Sequence, residues 1–227
     1  MSSLSPIVLG LDPSLTNFGW GIHDPNKPFG DPLRCIDRGR FQTSSKTLFI
    51  GRYVDIRTKL FDLLQEKQIQ KIGLEYPVFD NLYSEGMYGL FLYTCEALYD
   101  YGADVVFFSP GQIKAHARIL LKRPKILGHQ WKMEKPDMVE AAKLDTGSKA
   151  NWNHNEADAY LVARLASRFW QFHGGFITEA DLSPLELKQF TEVKQYVRGK
   201  KAGSTVKRGI LYRENERFFQ WSDVKKE

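Results

Sequence analysis

The stretch VLGLDPSLTNFGWGI, residues 8–22, constrains this chain more than any other. An apolar run ends on Asp12, turns through Pro13, Ser14 and Asn17, and resumes as a second apolar run. Turn residues between two such runs give paired strands. Yet a carboxylate at the end of a buried strand is expensive, because unpaired it must lose hydration or take up a proton. Asp12 therefore needs a hydrogen-bonding turn, a cationic side chain or a metal ion beside it.

The rest of the pattern supplies the sheet around that hairpin. Strands are expected over residues 7–12, 18–24 and 34–41, followed by a helix over 45–67 with apolar positions near a 3.6-residue period. KIGLEY (71–76) reads as a short buried strand that again ends on an acid, Glu75. A helix over 84–101, a strand over 104–109, and helices over 110–121 and 135–144 follow. HNEADAYLVARLASRFW (154–170), with Asp158 near its start, is the last strongly patterned helix. This order predicts an α/β fold, a mixed sheet with flanking helices. After Gly174 and Gly175 the texture changes. A helix over 178–197 is expected, with Ser183 as cap, Pro184 in its first position and Glu186 completing a capping box. From about residue 199 the chain is basic and Gly/Ser-punctuated, so partial disorder is expected. The implied division is a domain over 1–175 and a basic C-terminal extension over 176–227.

With 227 residues and 42% hydrophobic content the chain can bury one substantial core. It has no run of about 18 apolar residues, and MSSLSP is no secretory leader. Cys35 and Cys95 form no CxxC pair, which argues against zinc and for a reducing compartment. The expectation is a cytoplasmic protein that does not enter a membrane. A net charge of +5 says little, but its distribution says more. IKAHARILLKRPK carries Lys114, Arg118 and Lys122 without an acid, and VKQYVRGKKAGSTVKRG is equally one-sided. Each is either a solvated face or a surface that tracks phosphates.

Asp12, Glu75 and Asp158 lie far apart in sequence, each on a rigid element. Singly they read as a turn former, a strand-edge residue and a helix N-terminal charge. Together at one sheet edge they would repel unless cations neutralised them, and oxygen ligands suit Mg²⁺ or Mn²⁺. Two such ions can activate water and stabilise a leaving oxygen in phosphodiester hydrolysis.

These residues carry a family resemblance. VLGLDPSLTNFGWGI resembles the first hairpin of RuvC-type Holliday-junction resolvases, IGLEYPVF their second acidic strand and NEADAYLVA their last helix. Asn81, Ser84 and Gly89 fall at the family's spacing after the glutamate. SPGQIKAHA and EKPDMVEA resemble the segments that hold two DNA-contacting lysines. The likeness spans roughly residues 7–170 and is loosest in the middle. It implies an RNase H-like fold, a homodimer, and cleavage of four-way DNA junctions with Mg²⁺, or Mn²⁺ in its place, as two ions per site. Asp12, Glu75, Asn155 and Asp158 would then be metal ligands. Lys135 would be catalytic together with the acids, and Lys114, Lys135, Arg118, Lys122, Tyr76 and Phe79 would meet DNA. The small residues of FGWG would admit a backbone or a DNA strand.

Three departures stand out. Asn155 occupies a position that is usually Asp or His, so His154 or Glu156 could serve as the ligand instead. The aromatic that wedges into the junction is displaced, leaving Tyr76 or Phe79. The basic extension is additional. Rival readings are an ATP-binding fold of the actin and sugar-kinase type, for which no second G-[IL]-D hairpin is present, a junction binder that does not cut, and a nuclease for other branched DNA or RNA:DNA hybrids.

Overall fold

A computed structural model describes residues 4–76, 85–123, 133–191, 193–196, 205–208, 211–215 and 217–220. β1 (Val8–Asp12), β2 (Asn17–His23) and β3 (Cys35–Gln42) form an antiparallel meander. α1 (Phe49–Lys67) leads to β4 (Lys71–Glu75), and α2 (Glu85–Tyr101) leads to β5 (Asp104–Phe108). β4 lies parallel to β1, and β5 parallel to β4. α3 (Pro110–Leu120), α4 (Lys135–Thr146), α5 (His154–His173) and α6 (Pro184–Thr191) follow. The main sheet is completed by β8 (Leu211–Glu214) and β9 (Arg217–Gln220), in the order β3-β2-β1-β4-β5-β8-β9. β6 (Val193–Tyr196) and β7 (Thr205–Arg208) form a separate two-stranded sheet.

The period-two alternation of β1 divides the core. Leu9 and Leu11 face α1 and α2, where Ile56, Leu60, Leu64, Leu90 and Leu98 are buried with them. Val8 faces the opposite layer, packed with Leu161, Phe169 and Trp170 of α5 and Ile113 of α3. Expected and observed strands and helices agree within a few residues as far as residue 173.

Beyond residue 173 the sequence misleads. The expected helix over 178–197 is a 3-10 turn at Glu179–Asp181 and then α6, which ends at Thr191, with 193–196 a strand. Val193 and Tyr196 suit a strand, and pairing to a distant β7 overrides the local helical look. The Ser183–Glu186 capping pair is present, with Ser183 Oγ accepting from Glu186 N and Glu186 Oε2 accepting from Ser183 N. Within the extension, the described residues 193–196, 205–208, 211–214 and 217–220 form strands. β8 pairs with β5, and Tyr212 is buried against Phe169 and Trp170 together with Leu182 and Phe190. Among the described residues no helix is long and apolar enough to cross a membrane.

Candidate active site

β1, β4 and β5 run parallel, so their C-terminal ends share one edge of the sheet. Leu11 pairs with Leu74, which puts Asp12 beside Glu75 at that edge. The third acid arrives on α5, and glycines let it come close. A Cβ on Gly10 would sit 2.1 Å from the Ala159 carbonyl oxygen, and one on Gly19 would sit 2.2 Å from that of Asn155. The small residues of the hairpin thus admit a helix, not DNA, and that helix carries Asp158 to Asp12.

The N-terminus of α5 is fixed in detail. Asn153 caps it by accepting from Asn155 N at 3.0 Å. Glu156 bonds Arg38 Nε at 3.1 Å and closes the capping box on Asn153 N. Arg38 also stacks over Trp152, 3.8 Å from the ring centre. Asn155 is buried and donates its amide to the Asn17 carbonyl, leaving Oδ1 as its available ligand atom. His154 Nε2 stands 3.2 Å from Lys135 Nζ. Of the three candidates for the fourth ligand, Glu156 is therefore committed to Arg38.

The electrostatics identify a cluster. Burial lifts Asp12 well above the usual carboxylate range, and Glu75 and Asp158 lift it further against the pull of Lys135. Burial and then Asp158 push Glu75 up to about 8, with Lys114 opposing. Burial raises Asp158 to about 6, offset in part by Lys114 and Lys135. Asp158 Oδ1 is buried with no hydrogen-bond partner. Among the described residues no three His, Cys, Asp or Glu side chains already form a cation site as they stand, yet Asp12 and Glu75 both feel Asp158, and Lys135 acts on Asp12, Lys114 on Glu75 and both on Asp158.

Lys114 on α3 and Lys135 at the start of α4 are exposed. Lys122 is exposed at the end of α3, and Arg118 is half-buried with Nε unpartnered. The basic stretch is narrower than its sequence suggests. His116 is fully buried, and Arg123 pairs with Asp137 and Glu140. Tyr76 continues from β4 with its N–H donating to the Phe108 carbonyl. Phe79, Asn81 and Ser84 lie outside the described residues. Gly89 serves packing, because a Cβ there would sit 2.7 Å from the Tyr53 ring. Arg40, absent from the sequence expectations, is exposed on β3 opposite Gly19. With burial and Lys135, Arg40 helps hold the His154 imidazole below its usual range. Its signal in the sequence was register alone: the strand that pairs with the FGWG run carries Arg38 and Arg40 on either side of Gly39.

The chain is 30% identical over 112 residues to the crossover junction endodeoxyribonuclease RuvC of Ehrlichia ruminantium (strain Welgevonden), a match spanning 44% of this chain and 68% of that one. The chain belongs to the RuvC family. No family model matches it. RuvC structures share its fold. Thermus thermophilus RuvC superposes with a TM-score of 0.57 at 18% identity, covering 74% of this chain and 96% of that one. The T. thermophilus RuvC structure in complex with a Holliday junction substrate gives 0.55 at 17%, over the same shares. Nucleases of the RuvC family are metal-dependent.

Proposed function

We propose that this RuvC-family chain is a structure-selective endonuclease that resolves four-way DNA junctions by cation-dependent phosphodiester hydrolysis, as a homodimer in the cytoplasm. The observation that carries the reading is the convergence of Asp12, Glu75 and Asp158, desolvated and mutually repelling, at the open edge of the sheet. The buried Asp158 Oδ1, without a hydrogen-bond partner, fits a positive charge held there. The donor set is all oxygen, which suits two Mg²⁺ ions, or Mn²⁺ in their place, held by Asp12, Glu75 and Asp158 with Asn155 Oδ1. When bound, the ions supply charge neutralisation, an activated water and stabilisation of the leaving oxygen.

The chain's own residues do the positioning. Rigid strands hold Asp12 and Glu75, and the Gly10 and Gly19 contacts lock α5 so that Asp158 is placed without adjustment. Lys114 and Lys135 sit within electrostatic reach of the acids and offer ammonium groups to the flanking phosphates. Arg118, in the last turn of α3, and Lys122, just beyond its end, are the further cations offered to a junction arm.

The test is nicking of a synthetic four-way junction in Mg²⁺, set beside flap DNA and RNA:DNA hybrid substrates, with binding measured in Ca²⁺. Asp12→Asn, Glu75→Gln and Asp158→Asn should each lower the cleavage rate at least about 10³-fold, with junction binding nearly intact. The acids act as a unit, so a double variant should be little worse than either single one. Near-normal cutting by any one variant removes that residue from the site. Tight junction binding with no cutting in any cation leaves a binding protein instead.

A further inference from the structure

β3 carries two arginines on the face where α5 sits, and the packing uses one of them. Asp12 of β1 pairs with Gly19 of β2, and Gly19 pairs in turn with Arg40 of β3. Residues directly opposite each other across a strand pair project from the same face. Asp12 and Arg40 therefore share one row, two strands apart, or about 10 Å at a strand spacing of about 4.8 Å. Gly19 stands between them, and the first turn of α5 rests on it, since a Cβ there would meet the Asn155 carbonyl at 2.2 Å. Arg40 thus flanks the start of α5 on the side away from Asp12. Arg38 confirms which way the face points. It lies on the next row back, opposite Gly21, and its Nε bonds Glu156 of α5 at 3.1 Å. β3 runs parallel to β1, because each is antiparallel to β2, so Arg40 is the nearer of the two to the catalytic edge.

The partners of the two arginines differ. Arg38 is held by Glu156 and the Asn151 carbonyl, whereas Arg40 is exposed, with no acid at ion-pair distance among the described residues. At the start of α5, His154 Nε2 lies 3.2 Å from Lys135 Nζ, and Lys135 likewise has no acid at ion-pair distance among the described residues. Arg40 and Lys135 both lie close enough to His154 to disfavour its protonation. Lys135 also acts on Asp12 and Asp158, and Lys114 acts on Glu75 and Asp158. The cations therefore form a track across the sheet edge, from Lys114 beside Glu75, past the acids and Lys135, to Arg40 on β3. Such a track repels itself when bare, and a backbone of regularly spaced anions relieves it. We infer that the cut strand crosses the edge from Glu75 toward β3, and that Arg40 holds the phosphate next to the scissile one. This rests on the junction reading above and adds a strand path to it. Arg40 is a DNA contact that seats the strand over Asp12 and takes no part in the hydrolysis.

The experiment pairs Arg40→Gln in the full chain with junctions in which a neutral methylphosphonate replaces, one at a time, each phosphate flanking the cut. Arg40 is exposed, so the variant should fold as the parent does, which its thermal midpoint checks. Binding is measured in Ca²⁺ across a salt series. Arg40→Gln should weaken binding about 10-fold at low salt and flatten the slope of log K against log salt by about 0.9. Arg40→Lys keeps the charge and should keep the parent slope. A methylphosphonate next to the cut on one side should weaken the parent by a similar factor, yet add nothing to Arg40→Gln. On the other side of the cut the two losses should multiply. Losses that multiply at every position, or an unchanged slope for Arg40→Gln, overturn the inference and leave the junction reading standing. If the parent binds junctions without cutting them, the same scan is run across the junction centre. A phosphate coupled to Arg40 then sustains the contact, and none overturns it. A parent that neither binds nor cuts junctions ends the junction reading, and the inference with it.

Discussion

Asp12, Glu75 and Asp158 illustrate a site built at the expense of stability. Without a cation, the folded chain holds protons on Glu75, at about 8, that the unfolded chain has released above about 4.5. A raised carboxylate pKa makes stability fall as pH rises through the folded value. The buried His23 and His116 act in the opposite direction, since both imidazoles are held well below their usual range, by burial first and then by Arg34 and Arg164 respectively. Their effect lies below the usual histidine value of about 6.5, so between pH 7 and 8 the carboxylates act alone among these groups. In EDTA the protein should therefore lose at least about 1 kcal/mol between pH 7 and 8, and Glu75→Gln should flatten that fall. Urea denaturation at the two pH values checks it. Saturating Mg²⁺ should reverse the trend, because cation binding requires the ionised acids. Asn155 gives a second test at this scale. With its amide nitrogen donating to the Asn17 carbonyl, Oδ1 is the atom left to bind a cation, and it brings no charge. Asn155→Asp should lower the Mg²⁺ concentration for half-maximal cleavage, and Asn155→Ala should raise it. If neither moves it, His154, held next to Lys135, becomes the better ligand candidate.

Element by element, the central sheet was legible because each of its strands announces itself locally. An apolar run, a turn and an acid at the end of β1 and β4 fix both the strand and the catalytic edge, and α5 is visible from its period. What stayed hidden was non-local. β6 looks like the tail of a helix until β7 pairs with it, and β8 is masked by its charges although Tyr212 is core. The commitment of Glu156 to Arg38, and the exposed position of Arg40, follow from pairing β3 to β2, which no spacing reveals. The glycines were visible, but what approaches them was not. Because a Cβ on Gly19 would meet the Asn155 carbonyl at 2.2 Å, Gly19→Ala must push the first turn of α5 outward. It should cost about 1–3 kcal/mol and slow cleavage more than it weakens junction binding. Gly111→Ala, whose Cβ meets only Ser109 Oγ at 3.9 Å, is the control and should stay within about 0.5 kcal/mol of the parent. Equal behaviour of the two would show that α5 is not pinned through β2.

The two faces of the whole molecule are closed by different means. On the α5 side a buried ionic network ties layers together: Asp145 accepts from Arg34, Arg164 and Tyr160, and Arg164 reaches His116. Burial alone would raise the Asp145 carboxyl, but Arg164 and Arg34 hold it at about 2. The α1–α2 side is tied instead by partly exposed ion pairs, from Arg57 of α1 to Glu96 and Asp100 of α2. α2 buries Leu90, Ala97 and Leu98 inward, while Leu92 is 49% and Tyr99 58% exposed, and α1 leaves Ile50 and Val54 exposed. α2 thus turns one apolar face to the core and leaves a second exposed, and the exposed one suits an interface. A four-way junction has two-fold symmetry and needs two related cuts, which an isologous dimer matches. Pairing through α2 would cover the exposed apolar side chains and leave both catalytic edges open, since those edges lie at the strand ends. Sedimentation at micromolar concentration should give a dimer, and Leu92→Glu should give a folded monomer, as a charge at an exposed position costs the fold little. That monomer should nick junctions in uncoupled single steps, releasing nicked product before the second cut. A Leu92→Glu protein that stays dimeric and cuts in coupled pairs would place the interface elsewhere on the molecule.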